Sequence, residues 1–258
     1  MPTASAPLPL GEHRARVLQY LRKIALPRRS VASNIIQELR PPDDQRFLLR
    51  PGLVLWACSA CDGDLGDALA VAAAFDLFDR FMLLHDELVE APPDANPDSL
   101  VARWGLGQSL NAGDALYAMA LRALAQDVGN PQRRLRAAAL VTRAVLESIE
   151  GRTSDIEAGT QGSAAGLLAR VRSMRRRSAV LTGAALLAGA VIAGAPAATL
   201  QGFDRAGRLL DVAATSDDRA IAKRLIDKAI TVVEGCIPDP SQLGPFEEVA
   251  RYVAARAA

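Results

Sequence analysis

Aromatic side chains are scarce in this chain, at 4% of its residues, and strand-like alternation of apolar and polar residues is absent. Sheets draw on β-branched and aromatic residues, so this scarcity, together with heavy use of alanine, excludes a β-rich core and points to helices. Net charge is lacking as well: 30 basic and 29 acidic residues leave only +1. Binding to a nucleic-acid backbone needs a clear basic excess, so no nucleic acid is expected as a partner. Three cysteines are too few for a disulfide framework. Cys58 and Cys61, one helical turn apart in an apolar run, read as buried core thiols. Residues 1–10 carry no charged segment followed by an apolar core, so a cytoplasmic location is expected. The uncharged stretch 179–200 is long enough to span a bilayer. It is built of Ala and Gly, with Gly183, Gly189 and Gly194 suggesting close helix–helix contact, contains Pro196 and has no aromatic belt, so it reads as a buried helix and no membrane span is expected.

What is present is a series of apolar-periodic segments separated by Gly and Pro. The first ten residues read as a disordered arm. Helices are expected over 11–25, 31–39, 66–90, 99–104, 110–126, 131–150, 164–195, 199–214, 217–234 and 245–257, with a turn at Asp62-Gly63-Asp64. No linker divides the series, so 11–258 is read as a single all-helical domain.

The sharpest feature is Leu84-His85-Asp86-Glu87-Leu88-Val89-Glu90, which closes the apolar run from Ala70. Pro92 and Pro93 cannot continue a helix, so the three acids fall on its last turn, where the helix dipole disfavours negative charge. Asp86 and Glu90, four apart, share a face and repel. A compensating cation is required, and a hard divalent ion would supply it. Three further polar groups interrupt apolar helices: Gly113-Asp114, Gly151-Arg152-Thr153-Ser154-Asp155 and Arg175-Arg176-Arg177. Carboxylates and arginines in a helical bundle suit a polyphosphate held through Mg2+; they also suit solvated helix ends and caps.

These segments resemble, in order, the motifs of the trans-isoprenyl diphosphate synthases, the polyprenyl synthetase family. Leu84 to Glu90 looks like its first Asp-rich motif, DDxxD, written here as DExxE. Arg50-Pro51-Gly52-Leu53 is similar to R-P-x-L, Ala112-Gly113-Asp114-Ala115-Leu116 to A-G-D-x-L, and Gly151-Arg152-Thr153-Ser154-Asp155 to G-Q-x-x-D, with Arg in place of Gln. Arg177-Ser178-Ala179 stands where K-T-x is expected. The resemblance implies an all-α fold, a single-domain antiparallel helix bundle of the isoprenoid synthase type around a central apolar cavity. It further implies Mg2+ held by Asp86 and Glu90, with Glu87 as an outer ligand, and Asp218 as the remnant of a second metal site. Arg50, Arg177 and Asp155 would contact substrate. Phe81 and Met82, just before the motif, would close the cavity on a short allylic prenyl diphosphate of about C10 to C15. A homodimer, or a heterodimer with a homologue, is expected on the same ground.

Departures from the family pattern bear on function. The basic residues that hold isopentenyl diphosphate are replaced by Phe47 and Leu48, leaving Arg50. The second Asp-rich motif is reduced to Asp217-Asp218, with Asp218 alone in register. The first reading is therefore Mg2+-assisted ionisation of one allylic diphosphate, followed by cyclisation, elimination or transfer to an acceptor other than isopentenyl diphosphate, as in terpene synthases. The alternatives are a prenyltransferase with a rearranged second-substrate site, in which Arg175 and Arg177 would take part, and a non-catalytic partner subunit.

Overall fold

Every residue from 70 to 78 is buried, whichever way it faces around the helix. A helix apolar on all sides belongs at the centre of a bundle, and that is where the chain places α4 (Leu65–Glu90). In this computed structural model the described residues are 11–24, 30–38, 49–90, 99–126, 129–159 and 180–255, and their regular structure is helical throughout. α1 (Gly11–Ile24), α2 (Val31–Glu38) and α3 (Leu49–Ala60) precede the central helix; α5 (Leu100–Trp104), α6 (Leu106–Leu124) and α7 (Pro131–Gly159) follow it. α8 covers 180–193. α9 (Ala197–Thr215), α10 (Arg219–Glu234), a short 3-10 turn (Pro240–Leu243) and α11 (Gly244–Ala255) complete a single-domain helical bundle. The arm expected at 1–10 and the first part of the helix expected from Ala164 lie outside the described residues.

Local chemistry sets the boundaries. After Asp62, at φ 56°, the Asp64 carboxylate accepts from Gly66 N at 2.7 Å and starts α4. Asn130 does the same for α7, accepting from Gln132 and Arg133 N at 3.0 and 3.1 Å, with Pro131 at the first helical position. α7 does not stop at Glu150 as expected but runs on to Gly159. A glycine inside a helix costs only about 1 kcal/mol relative to alanine, and tertiary contacts of the kind described below for Arg152 offset it.

The few aromatics are concentrated where helices meet. Trp56 of α3 stacks between Phe203 of α9 and Phe246 of α11, at 6.1 and 5.2 Å, and donates from Nε1 to the Gln242 carbonyl at 2.8 Å. α8 packs through small residues, as its glycines suggest. A Cβ on Gly189 would stand 2.2 Å from the Val54 carbonyl oxygen, and one on Gly207 of α9 would stand 2.8 Å from Gly183 Cα. Gly194 ends α8 at φ 78° and is a close contact as well, since a Cβ there would stand 2.1 Å from Cζ of Arg133 on α7. Cys58 and Cys61 are free thiols, and burial pushes them up to about 12 and about 11. Among the described residues, no helix is long and apolar enough to cross a membrane.

Candidate active site

α4 and α7 meet side by side near the acidic end of α4, in two rungs. On the lower rung, Ser148 Oγ of α7 donates to Met82 Sδ of α4 at 3.4 Å. One turn farther along both helices, Arg152 Nη1 is ion-paired with Asp86 Oδ1, and Nη2 donates to the Asp86 carbonyl at 3.2 Å. Both rungs advance by four residues in the same direction, so the two helices run parallel here and present the same faces. Glu90 lies on the next turn of α4 and Asp155 on the next turn of α7; their side chains are outside the described set.

The neighbouring acid faces another way. Glu87, about 100° round the helix, accepts from Leu100 N at 2.5 Å, while Ser99 Oγ accepts from Ala102 N at 3.0 Å. Glu87 thus stands at the positive end of α5, a favourable place for a carboxylate. His85, on the α6 side, donates from Nδ1 to the Phe81 carbonyl at 3.0 Å. Its ring approaches Gly113 so closely that a Cβ there would lie 2.5 Å from Cε1. In the Gly113-Asp114 pair it is therefore the glycine that meets this region, while Asp114 is exposed. Phe81 contacts the His85 ring at 4.2 Å and Tyr117 of α6 at 5.3 Å. Phe81 and Met82 thus separate, one towards α6 and the other towards α7.

Arg50 is drawn into a charged row beneath the site. Its Nη1 lies 2.5 Å from Asp79 Oδ1. One helical turn back, Arg80 grips Asp76 through Nε at 2.7 Å and Nη2 at 3.3 Å. In sequence, Asp76, Asp79 and Arg80 are the interruptions of the otherwise apolar run from Ala70. The spacing of four between Asp76 and Arg80 is a signal that identifies that pair. Burial pushes the Asp79 carboxyl up to about 6, with Asp76 adding to the rise and Arg50 opposing it. A folded value above the ordinary 3.8 means the native chain holds this proton more tightly than the unfolded one. Its contribution is fully present below about 3.8 and is lost as pH rises to about 6, amounting to roughly 3 kcal/mol. Asp79→Asn removes this dependence. The variant-minus-wild-type stability from urea melts should climb between about pH 4 and 6 and then level off. A flat difference would contradict it.

Of the remaining predicted residues, Arg177 lies outside the described residues. Asp218 is exposed and caps α10, its Oδ1 accepting from Ala220 N at 2.7 Å and Ile221 N at 3.1 Å. Asp217 beside it is also exposed. A cleft of about 410 Å³ opens between α7, α8 and α9, with Leu140, Ala144, Val180 and Leu187 in its wall and Arg143 and Asp211 among its charged lining.

Does this donor set fit Mg2+? Carboxylate oxygen is the right chemistry, and Asp86, 35% exposed, is reachable. Among the described residues, however, no group of three possible ligands gathers, and Arg152 already holds Asp86. In donor chemistry Asp86 suits the ion and Glu90 lies one turn on, but Arg152 already holds the Asp86 carboxylate.

Comparison with known proteins adds to this geometry. The polyprenyl synthetase family model matches residues 48–213, a span that includes α4 and α7. The chain is 32% identical over 167 residues to a geranylgeranyl diphosphate synthase of Mycobacterium tuberculosis, covering 64% of this chain and 47% of that protein. It is 30% identical over 149 residues to heptaprenyl diphosphate synthase component 2 of Geobacillus stearothermophilus, covering 57% and 45%. These matches therefore span about half the length of the curated relatives. The structure superposes on geranylgeranyl pyrophosphate synthetase from Pyrococcus horikoshii with a TM-score of 0.79 at 16% identity, over 96% of this chain and 97% of that one. The all-helical fold expected from the sequence is the fold observed.

Proposed function

The chain belongs to the polyprenyl synthetase family, and from that premise we propose that it is a prenyltransferase of isoprenoid biosynthesis with a rearranged second-substrate site. The observation that carries this reading is Asp86, presented at the end of α4 against α7 within the segment the family model matches. The relatives are named as diphosphate synthases, which favours the chain-elongating reading over the terpene-synthase-like one placed first on sequence grounds. The substrate would be a short allylic diphosphate of about C10 to C15, its tail limited by Met82 on the α7 side and Phe81 on the α6 side.

Asp86 and Glu90 would hold Mg2+, which when bound supplies Lewis-acid stabilisation of the diphosphate leaving group. Asp86 fixes the depth of the polar head above Met82, one turn below. The apolar wall around that turn keeps water from the allylic carbon. Arg50 would serve the second substrate only by leaving Asp79, so a different basic patch, including Arg177, is proposed for that role. A dimer, with a second copy or a homologue, is part of the same reading. Its support is an apolar stripe left exposed on α6 at Leu106, Leu110, Tyr117 and Leu121, and another on α7 at Leu146, Ile149 and Ile156. A cytoplasmic location is proposed with it.

One observation favours a second reading, the partner subunit. Asp86 and Arg50, which would meet metal and diphosphate, are each already paired within the chain. Purified protein with Mg2+, farnesyl diphosphate and labelled isopentenyl diphosphate decides between them. A labelled, longer prenyl diphosphate is the expected product. Diphosphate release without label would return the terpene-synthase reading. Silence alone, with activity only beside a homologue, would establish the subunit.

A further inference from the structure

Where the family motif has Gln, this chain has Arg152, and the substitution decides what Asp86 meets. The guanidinium takes the acid at two points, its carboxylate and its main-chain carbonyl. A planar fork with several donors makes such a two-point hold; Gln carries no charge and lysine has only a point charge. Arg152 is 14% exposed and Asp86 35%, so the cation is the more buried partner, and its attraction for the acid is the less screened for it. It also stands at the negative end of the α4 dipole, where a cation is favoured. The sequence demanded a positive charge at this cluster of acids, and the chain carries one of its own.

We propose that Arg152 is a resident cation of the acidic motif: it neutralises Asp86, and a divalent metal binds there only by displacing the guanidinium. Arg152 thereby sets the metal affinity of the site. This rests on Asp86 being the metal-holding residue of the proposed function, but it is tested with the metal alone. Mg2+ titrated into the full chain by calorimetry, with Mn2+ as a spectroscopic probe, should bind Arg152→Gln and Arg152→Ala at least about tenfold more tightly than wild type. Arg152→Lys, which keeps the charge, should stay nearer to wild type than to Arg152→Gln. Asp86→Asn combined with Arg152→Gln should lose the gain. Equal affinity in wild type and both neutral variants, or no binding in any of them, overturns the inference. A tenfold gain in a protein that turns over no prenyl diphosphate would sink the prenyltransferase reading and leave the role of Arg152 standing; turnover with equal affinities would do the reverse.

Discussion

Asp86→Ala should lower kcat/KM for an allylic diphosphate by about 10³-fold, because a group that stabilises the departing diphosphate through a metal is worth several kcal/mol, and each 1.4 kcal/mol is tenfold. Stability should hardly follow. Asp86 is 35% and Arg152 14% exposed, so this part-buried pair is worth about 1.5 kcal/mol and the melting temperature should fall by only a few degrees. Glu87→Ala is the informative comparison. Its carboxylate receives the Leu100 amide, so its loss should cost about 1 kcal/mol of stability, as for other helix caps. Activity should fall far less than in Asp86→Ala. Steady-state kinetics and thermal melts on the two variants separate the roles of neighbouring acids. Full activity in Asp86→Ala would remove Asp86 from the chemistry, and equal losses in both variants would mean that the acids act as one cluster.

That the two acids differ was not legible in the sequence, and the reason is physical. The end of α4 was legible, because the apolar run and the two prolines act within a few residues of it. What each acid meets depends on elements folded back from 13 and 66 residues away, and spacing along one helix is silent about those. Arg152 shows this most plainly. The helix expected to end at Glu150 leaves Arg152 beyond it; the continuing helix makes the guanidinium the partner of Asp86. Arg50 is the counterpart. Its motif suggested a diphosphate contact, whereas the burial of Asp79 at that level of α3 and α4 claims it first. By contrast, the buried thiol at Cys58 and the small-residue packing of Gly183 and Gly189 followed from local pattern alone, since both concern which face is apolar; Cys61, one turn on, is only half-buried.

Asp76→Ala should be the most destabilising single change in the described core, costing about 3–5 kcal/mol and lowering the melting temperature by roughly 10 °C. The side chains of Asp76 and Arg80 are only 1% and 9% exposed, and Asp76 lies within the stretch of α4 that is buried all round. Removing the acid strands a guanidinium that water cannot reach. Asp79 cannot replace it, being held by Arg50 at 2.5 Å. The cost comes from the orphaned charge more than from the lost bond, so removing both charges should recover most of it: Asp76→Leu with Arg80→Met should melt within a few degrees of wild type. A double variant as unstable as Asp76→Ala would instead mean that the pair contributes net stability. The same change carries a second signature. Because Asp76 helps to raise Asp79, its loss should move the pH window of Asp79 downward from about 6. Asp79 would then keep its charge, and its hold on Arg50, at lower pH than in wild type.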